Sequence, residues 1–165
     1  MCCGYPDHLD DSKYKKADPS SYHQLSKSID EAAFNQISIE DKHCCNDLNL
    51  LQQFENKTVI FGSLAIASSR LETVEEVVER LRAALGYIDR DRLVVAPDCG
   101  LGLLPAKLAE DKLRVMCRAA ALVLKKRNTA VRAVKINFQS SQKISNGRNG
   151  TLIVELKHKA WRDLC

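Results

Sequence analysis

Two residues of this 165-residue chain stand where a sequence places chemistry. Glu40 closes the short β-branched run Ile37-Ser38-Ile39, and Cys99 lies just past the apolar run Leu93-Val94-Val95-Ala96. Thiolates and a carboxylate, joined by an imidazole, make a four-coordinate donor set for zinc. A substrate thiol held by such a metal is a thiolate, the nucleophile that an alkyl transfer needs. The same residues also have a plain structural reading, with Glu40 a solvated strand end and Cys99 a small buried side chain. Spacing alone leaves both readings open.

The other metal-ligating side chains narrow the field. There are seven cysteines, at positions 2, 3, 44, 45, 99, 117 and 165, with no Cys-x-x-Cys pair. An odd count without a secretory leader predicts free thiols and a cytoplasmic, reducing setting. Any metal site must therefore gather cysteines from distant segments, and Cys3, Cys44 and Cys45 are expected to be spectators. Among the four histidines, His43 lies nearest to Glu40 in sequence, but a polar loop histidine is usually solvated. Asp98 beside Cys99 is expected to orient or cap its loop. Asp7, Asp10 and Asp11 lack calcium-loop spacing, and Gly100-Leu101-Gly102 lacks the third glycine of a dinucleotide loop.

The elements that position Glu40 and Cys99 read as strands alternating with helices. Asp18-Pro19 predicts a helix start, with Tyr22, Leu25 and Ile29 at helical spacing behind it. Ile37–Glu40, Thr58–Gly62 and Leu93–Ala96 predict strands. Asn46 or Asp47 can cap a short helix over Leu48–Phe54. Thr73-Val74-Glu75-Glu76 is a capping box. The helix it opens carries Val74, Val77, Val78, Leu81, Ala84 and Leu85 on one face. A last helix is expected from Ala106 to Leu124. This order predicts an α/β fold with a parallel sheet covered by helices. Ligands bind such sheets at the C-terminal ends of the strands, where Glu40, Gly62-Ser63 and Cys99 would meet.

Charge separates the chain into two parts. Residues 1–124 carry a net −4 and residues 125–165 a net +8, giving the overall +4. The organisation expected is a body over 1–124 and a basic appended tail over 125–165, either disordered or a hairpin turning near Asn149-Gly150. No apolar run is long enough to span a membrane. The excess charge sits in the tail, and Lys125-Lys126-Arg127 is a short solvated run, so neither membrane nor nucleic acid is an expected partner.

Three segments carry a more specific signal: Met1-Cys2-Cys3-Gly4-Tyr5-Pro6, Ile37-Ser38-Ile39-Glu40-Asp41 and Ala96-Pro97-Asp98-Cys99-Gly100-Leu101. With Arg70–Glu76 and Asp91-Arg92-Leu93, they resemble the C-terminal catalytic domain of the cobalamin-independent methionine synthases, over about residues 1–124. The resemblance implies a (β/α)8 TIM barrel of which this chain supplies the C-terminal part, an incomplete barrel with a basic tail outside the family. It also implies a methyltransferase of methionine biosynthesis. A methyl group would pass from a methyltetrahydropteroyl polyglutamate to a homocysteine-like thiol bound to Zn2+.

Carried over residue by residue, the implied zinc ligands are Cys2, Glu40 and Cys99. The family's histidine ligand would fall one residue before Met1. Ala65 and Ala67 stand where the family has an aspartate and a proton-donating histidine. The resemblance therefore implies a truncated, divergent member. Two alternatives stand beside the enzyme reading: a catalytically inactive fragment, and a related barrel methyltransferase using another donor or thiol, as in cobamide-dependent relatives.

Overall fold

The computed structural model describes residues 1–124; the tail over 125–165, including the expected hairpin, lies outside the described residues. Three strands, β1 (Gln36–Ile39), β2 (Thr58–Gly62) and β3 (Leu93–Ala96), form one parallel sheet in the order β1-β2-β3. Helix α1 (Ser20–Glu31) precedes β1. Helix α2 (Val74–Ala84) connects β2 to β3, and α3 (Ala106–Leu124) follows β3. Short 3-10 helices occupy Leu48–Gln53 and Arg90–Arg92. This is the α/β fold with a parallel sheet that the sequence predicts, and its three strands make a part of a barrel rather than a closed one.

Register explains where the core lies. Ile37 pairs with Val59, and Val59 with Leu93; Ile39 pairs with Phe61, and Phe61 with Val95. Side chains alternate across a strand, so these six apolar residues share one face, and all six are buried. Val77, Val78, Leu81 and Ala84 of α2, with Leu113, Met116, Ala119 and Val123 of α3, join the same core. Each such side chain contributes about 1.5–3 kcal/mol by leaving water. On the opposite face Ser38 is exposed and Ile60 and Val94 are half-buried.

The helix signals act as the sequence predicts in α2. The Thr73 hydroxyl accepts from the Glu76 N–H, and the Glu76 carboxylate accepts from the Thr73 N–H at 2.8 Å. At α1 the cap is Asp18, whose carboxylate accepts from the Ser20 N–H at 2.9 Å, and Pro19 already has helical dihedrals. Tyr22 is buried and Ile29 packs against the core, as expected, but Leu25 is exposed and Ser26 and Asp30 are buried instead. Polar bonds turn the helix this way. The Ser26 hydroxyl bonds to Gln53, and Asp30 accepts from the Asn56 N–H at 2.9 Å and from its side-chain amide at 2.8 Å. The segment Leu48–Gln53 is a 3-10 helix rather than an α-helix, capped by Asp47. Among the described residues, no helix is long and apolar enough to cross a membrane.

Candidate metal centre

The C-terminal rim of the sheet is tied together by one carboxylate. Asp98 accepts from three successive backbone N–H groups beyond β1: Asp41 at 3.1 Å, Lys42 at 3.0 Å and His43 at 2.7 Å. Its own N–H donates to the Leu64 carbonyl beyond β2. Asp98 thus caps the β1 loop, as one of its two expected roles. Burial raises its pKa to about 6, against the pull of those three N–H donors. Gly62 is needed here, because a Cβ at that position would lie 2.2 Å from the Asp98 carboxylate.

Glu40 is the centre of the arrangement. Its side chain is fully buried, and a buried carboxylate must be paired or neutralised. One oxygen, Oε1, accepts from the Cys3 N–H at 2.9 Å; the other, Oε2, accepts from the Lys16 ammonium at 2.8 Å. Burial opposes ionisation, but the Lys16 ammonium, and after it the Cys2 thiol and the Cys3 N–H, outweigh it. The carboxyl is held below its usual range.

Lys16 comes from the coil before α1 and is fixed by two further contacts. It donates to the Gly4 carbonyl at 2.7 Å and lies 3.5 Å from the centre of the Tyr5 ring, a cation–π contact. Gly4 has φ +89, a conformation suited to glycine, and a Cβ there would also meet the Tyr14 hydroxyl.

Three thiols, those of Cys2, Cys3 and Cys44, approach this carboxylate. Cys2 lies near both Glu40 and Cys99; partial burial, and then the Glu40 carboxylate, push its pKa up to about 11. Cys2 and Cys99 are both exposed. The thiols of Cys3 and Cys44, expected to be spectators, lie against the same carboxylate. Their sulfurs and a Glu40 oxygen are all within 4.8 Å of one another. Cys45 turns away, its thiol directed at the Lys42 carbonyl. Sequence gives Cys3 no signal beyond its adjacency to Cys2; Cys44 sits four residues after Glu40, close enough for a loop to return it to the rim.

His43, the nearest candidate imidazole, is not in this cluster. Its Nε2 accepts from the Ala67 N–H at 3.1 Å and its ring meets Tyr5 edge-on. Burial and the Lys16 charge push its pKa down, which keeps it neutral. The Tyr5 hydroxyl is buried without a hydrogen-bond partner, while burial and the charges of Asp98 and Glu40 keep it protonated. A cleft of about 490 Å3 opens beside the cluster, lined by Pro6, Asp10, Tyr14, Lys16, His43 and Ala67. That volume suits a small molecule.

The residues fit zinc on their own chemistry. They offer soft thiol donors, a carboxylate in its charged form, and an unsatisfied phenol O–H able to donate to whatever occupies the site.

Comparison with known proteins agrees with this architecture. A family model described as the catalytic domain of cobalamin-independent synthases matches residues 19–122. The methionine synthase of Pyrococcus horikoshii is 32% identical over 123 residues, covering 70% of this chain and 36% of that protein. The methionine synthase of Sulfolobus acidocaldarius is 33% identical over 103 residues, covering 62% and 30%. Among solved structures, a B12-independent methionine synthase from Shewanella sp. W3-18-1, in complex with selenomethionine, aligns with TM-score 0.67 and 28% identity. That alignment covers 74% of this chain and 37% of the other. The chain thus spans about a third of the length of the relatives it matches.

Proposed function

The chain belongs to the cobalamin-independent methionine synthase family, and on that premise we propose that residues 1–124 form the thiol-activating sector of a zinc-dependent methyltransferase. The observation that carries this reading is Glu40: a fully buried, ionised carboxylate at the strand rim with thiols around it. Zinc held by Cys2, Glu40 and Cys99 would supply a Lewis acid that keeps a substrate thiol deprotonated at neutral pH.

The chain's own residues do the rest. Asp98 fixes the β1 loop that carries Glu40 against the β3 loop that carries Cys99. The Cys3 N–H orients the carboxylate. The cleft bounded by Lys16 and His43 is the space for a homocysteine-like thiol. In the reaction proposed, the thiolate sulfur forms a bond to the methyl carbon and the carbon–nitrogen bond to a methyltetrahydropteroyl donor breaks. Its electron pair stays on the pterin nitrogen, which then takes a proton.

A second reading has a specific observation behind it. The described residues build three strands, and the chain spans about a third of its relatives. Methyl transfer needs two substrates held in line, and a displacement of about 1 Å can cost about 100-fold. In this reading the sector binds metal and thiol without turning over alone.

Zinc analysis of the purified, reduced chain, with Cys99→Ser beside it, tests the metal. Bound zinc that falls with the substitution supports the reading, and sub-stoichiometric zinc indifferent to it counts against. Methyl transfer from methyltetrahydrofolate then separates an active sector from a silent one, and methylcobalamin as donor tests for a different methyl source.

A further inference from the structure

The ligand set carried over from the family leaves Cys3 and Cys44 without a role, yet their geometry is the tightest in the cluster. We propose that Cys3 and Cys44, together with Glu40, bind a soft divalent metal as a thiol pair separate from Cys2 and Cys99. This goes beyond the methyl-transfer reading and does not depend on it.

Distances carry the argument. With zinc–sulfur bonds near ~2.3 Å and zinc–oxygen bonds near ~2.1 Å, tetrahedral donors sit about 3.5–4 Å apart. The Cys3 sulfur, the Cys44 sulfur and a Glu40 oxygen already lie within 4.8 Å of one another, with Cys44 Sγ 3.8 Å from Oε2. Closing on a metal takes movements of about an ångström or less, within the reach of side-chain rotation. The carboxylate is preset: it is fully buried, and the Cys3 N–H holds Oε1.

A second observation points to a cation. Oε2 is already occupied by a positive group, the Lys16 ammonium at 2.8 Å, so the field at this spot holds a charge of the sign a metal would bring. Lys16 is partly exposed, whereas Glu40 is not, so a metal would displace the ammonium from Oε2 toward solvent and break its contacts with Gly4 and Tyr5. In the metal-free chain both thiols are hydrogen-bonded. Cys3 donates to the Tyr22 hydroxyl, and burial and the adjacent Cys3 push the Cys44 pKa up. Binding therefore breaks two S–H bonds, forms two metal–sulfur bonds, and releases two protons to the buffer. The fourth position is left for water or an added thiol.

The test uses the full, reduced chain and two metals, zinc and cobalt(II). In the wild-type protein, cysteine alkylation with and without one equivalent of zinc is read peptide by peptide by mass spectrometry. Cys3 and Cys44 should be protected about tenfold or more. Cobalt(II) titration, followed by its sulfur charge-transfer absorption, compares Cys3→Ser/Cys44→Ser with Cys2→Ser/Cys99→Ser, circular dichroism confirming the fold of each. Loss of about 100-fold or more in affinity in the first variant alone supports the pair, a lost ligand costing at least what a lost outer partner does. Requirement for all four thiols overturns the pair as a site separate from Cys2 and Cys99. Full binding in Cys3→Ser/Cys44→Ser, with loss in Cys2→Ser/Cys99→Ser, overturns this inference and leaves the zinc reading above standing. Unprotected Cys3 and Cys44 in zinc-bound wild-type protein overturn it without recourse to a variant. No metal binding by the wild-type chain overturns both.

Discussion

Glu40 and Glu72 are two buried carboxylates, each bonded to a lysine, and they serve different ends. Glu72 is sealed. Its Oε1 accepts from the Ala65 N–H at 2.9 Å and its Oε2 from Lys112 at 2.7 Å, and Lys112 gives a second bond to the Arg70 carbonyl. Both side chains of that pair are at most 1% exposed. The pair pins the loop between β2 and α2 to helix α3. Glu40 has a lysine too, but that lysine is 18% exposed, and thiols and an unpartnered phenol crowd the same carboxylate. A buried ion pair sealed from solvent on both sides braces the fold; one with thiols beside it at a strand rim is equipped to bind.

Lys112→Met should show the brace most strongly. It strands a fully buried carboxylate, and breaking such a pair costs about 3–5 kcal/mol. Denaturant unfolding should show that loss, and Glu72→Gln/Lys112→Met should recover much of it. Equal stability of Lys112→Met and wild type would mean that the pair braces nothing.

Lys16→Met should behave differently, because its partner has other uses. The metal-free chain should lose about 2 kcal/mol, the scale of a hydrogen bond to a charged group, while zinc affinity rises because the competing cation is gone. Competition with a chromogenic chelator reads the affinity. Weaker zinc binding in this variant would make Lys16 a support of the site rather than its resident cation.

The smallest effect lies outside both pairs, at the α2 cap. The Thr73 N–H, and then Arg70, lower the Glu76 pKa from 4.5 to about 2. A depressed carboxylate stabilises the fold fully above its unfolded pKa and loses that contribution as pH falls through the folded value. Glu76→Ala should therefore cost below about 1 kcal/mol at neutral pH, since the group is exposed and screened. The gap from wild type should close between pH 4.5 and 2. A gap that stays constant across that range would assign the effect to helix propensity instead.

Much of this was legible in the sequence. The three strands, the Thr73–Glu76 box and the placement of Glu40 and Cys99 at the ends of their strands follow from local patterns, because apolar alternation and capping act within a few residues. Lys112 also left a trace: it falls among Ala109, Leu113 and Met116 on the inward face of α3, an unlikely seat for an unpaired charge. Lys16, Tyr5 and Cys3 left no such trace. They reach Glu40 from coil and loop, where no periodicity fixes direction, and only the folded chain brings residues 24 and 37 positions apart to one carboxylate. On α1, helical spacing places Tyr22 and Ile29 correctly but not Leu25, because Ser26 and Asp30 are drawn inward by Gln53 and Asn56, partners that spacing alone does not reveal.

The most direct measurement of the central claim compares the two carboxylates by metal content. Wild type, Glu40→Gln and Glu72→Gln/Lys112→Met are purified reduced, equilibrated with zinc, desalted and analysed for bound metal, with folding checked by circular dichroism. About one zinc per chain in wild type and in the brace variant, and background zinc in Glu40→Gln, is the predicted result. Zinc retained by Glu40→Gln at the wild-type level would contradict it.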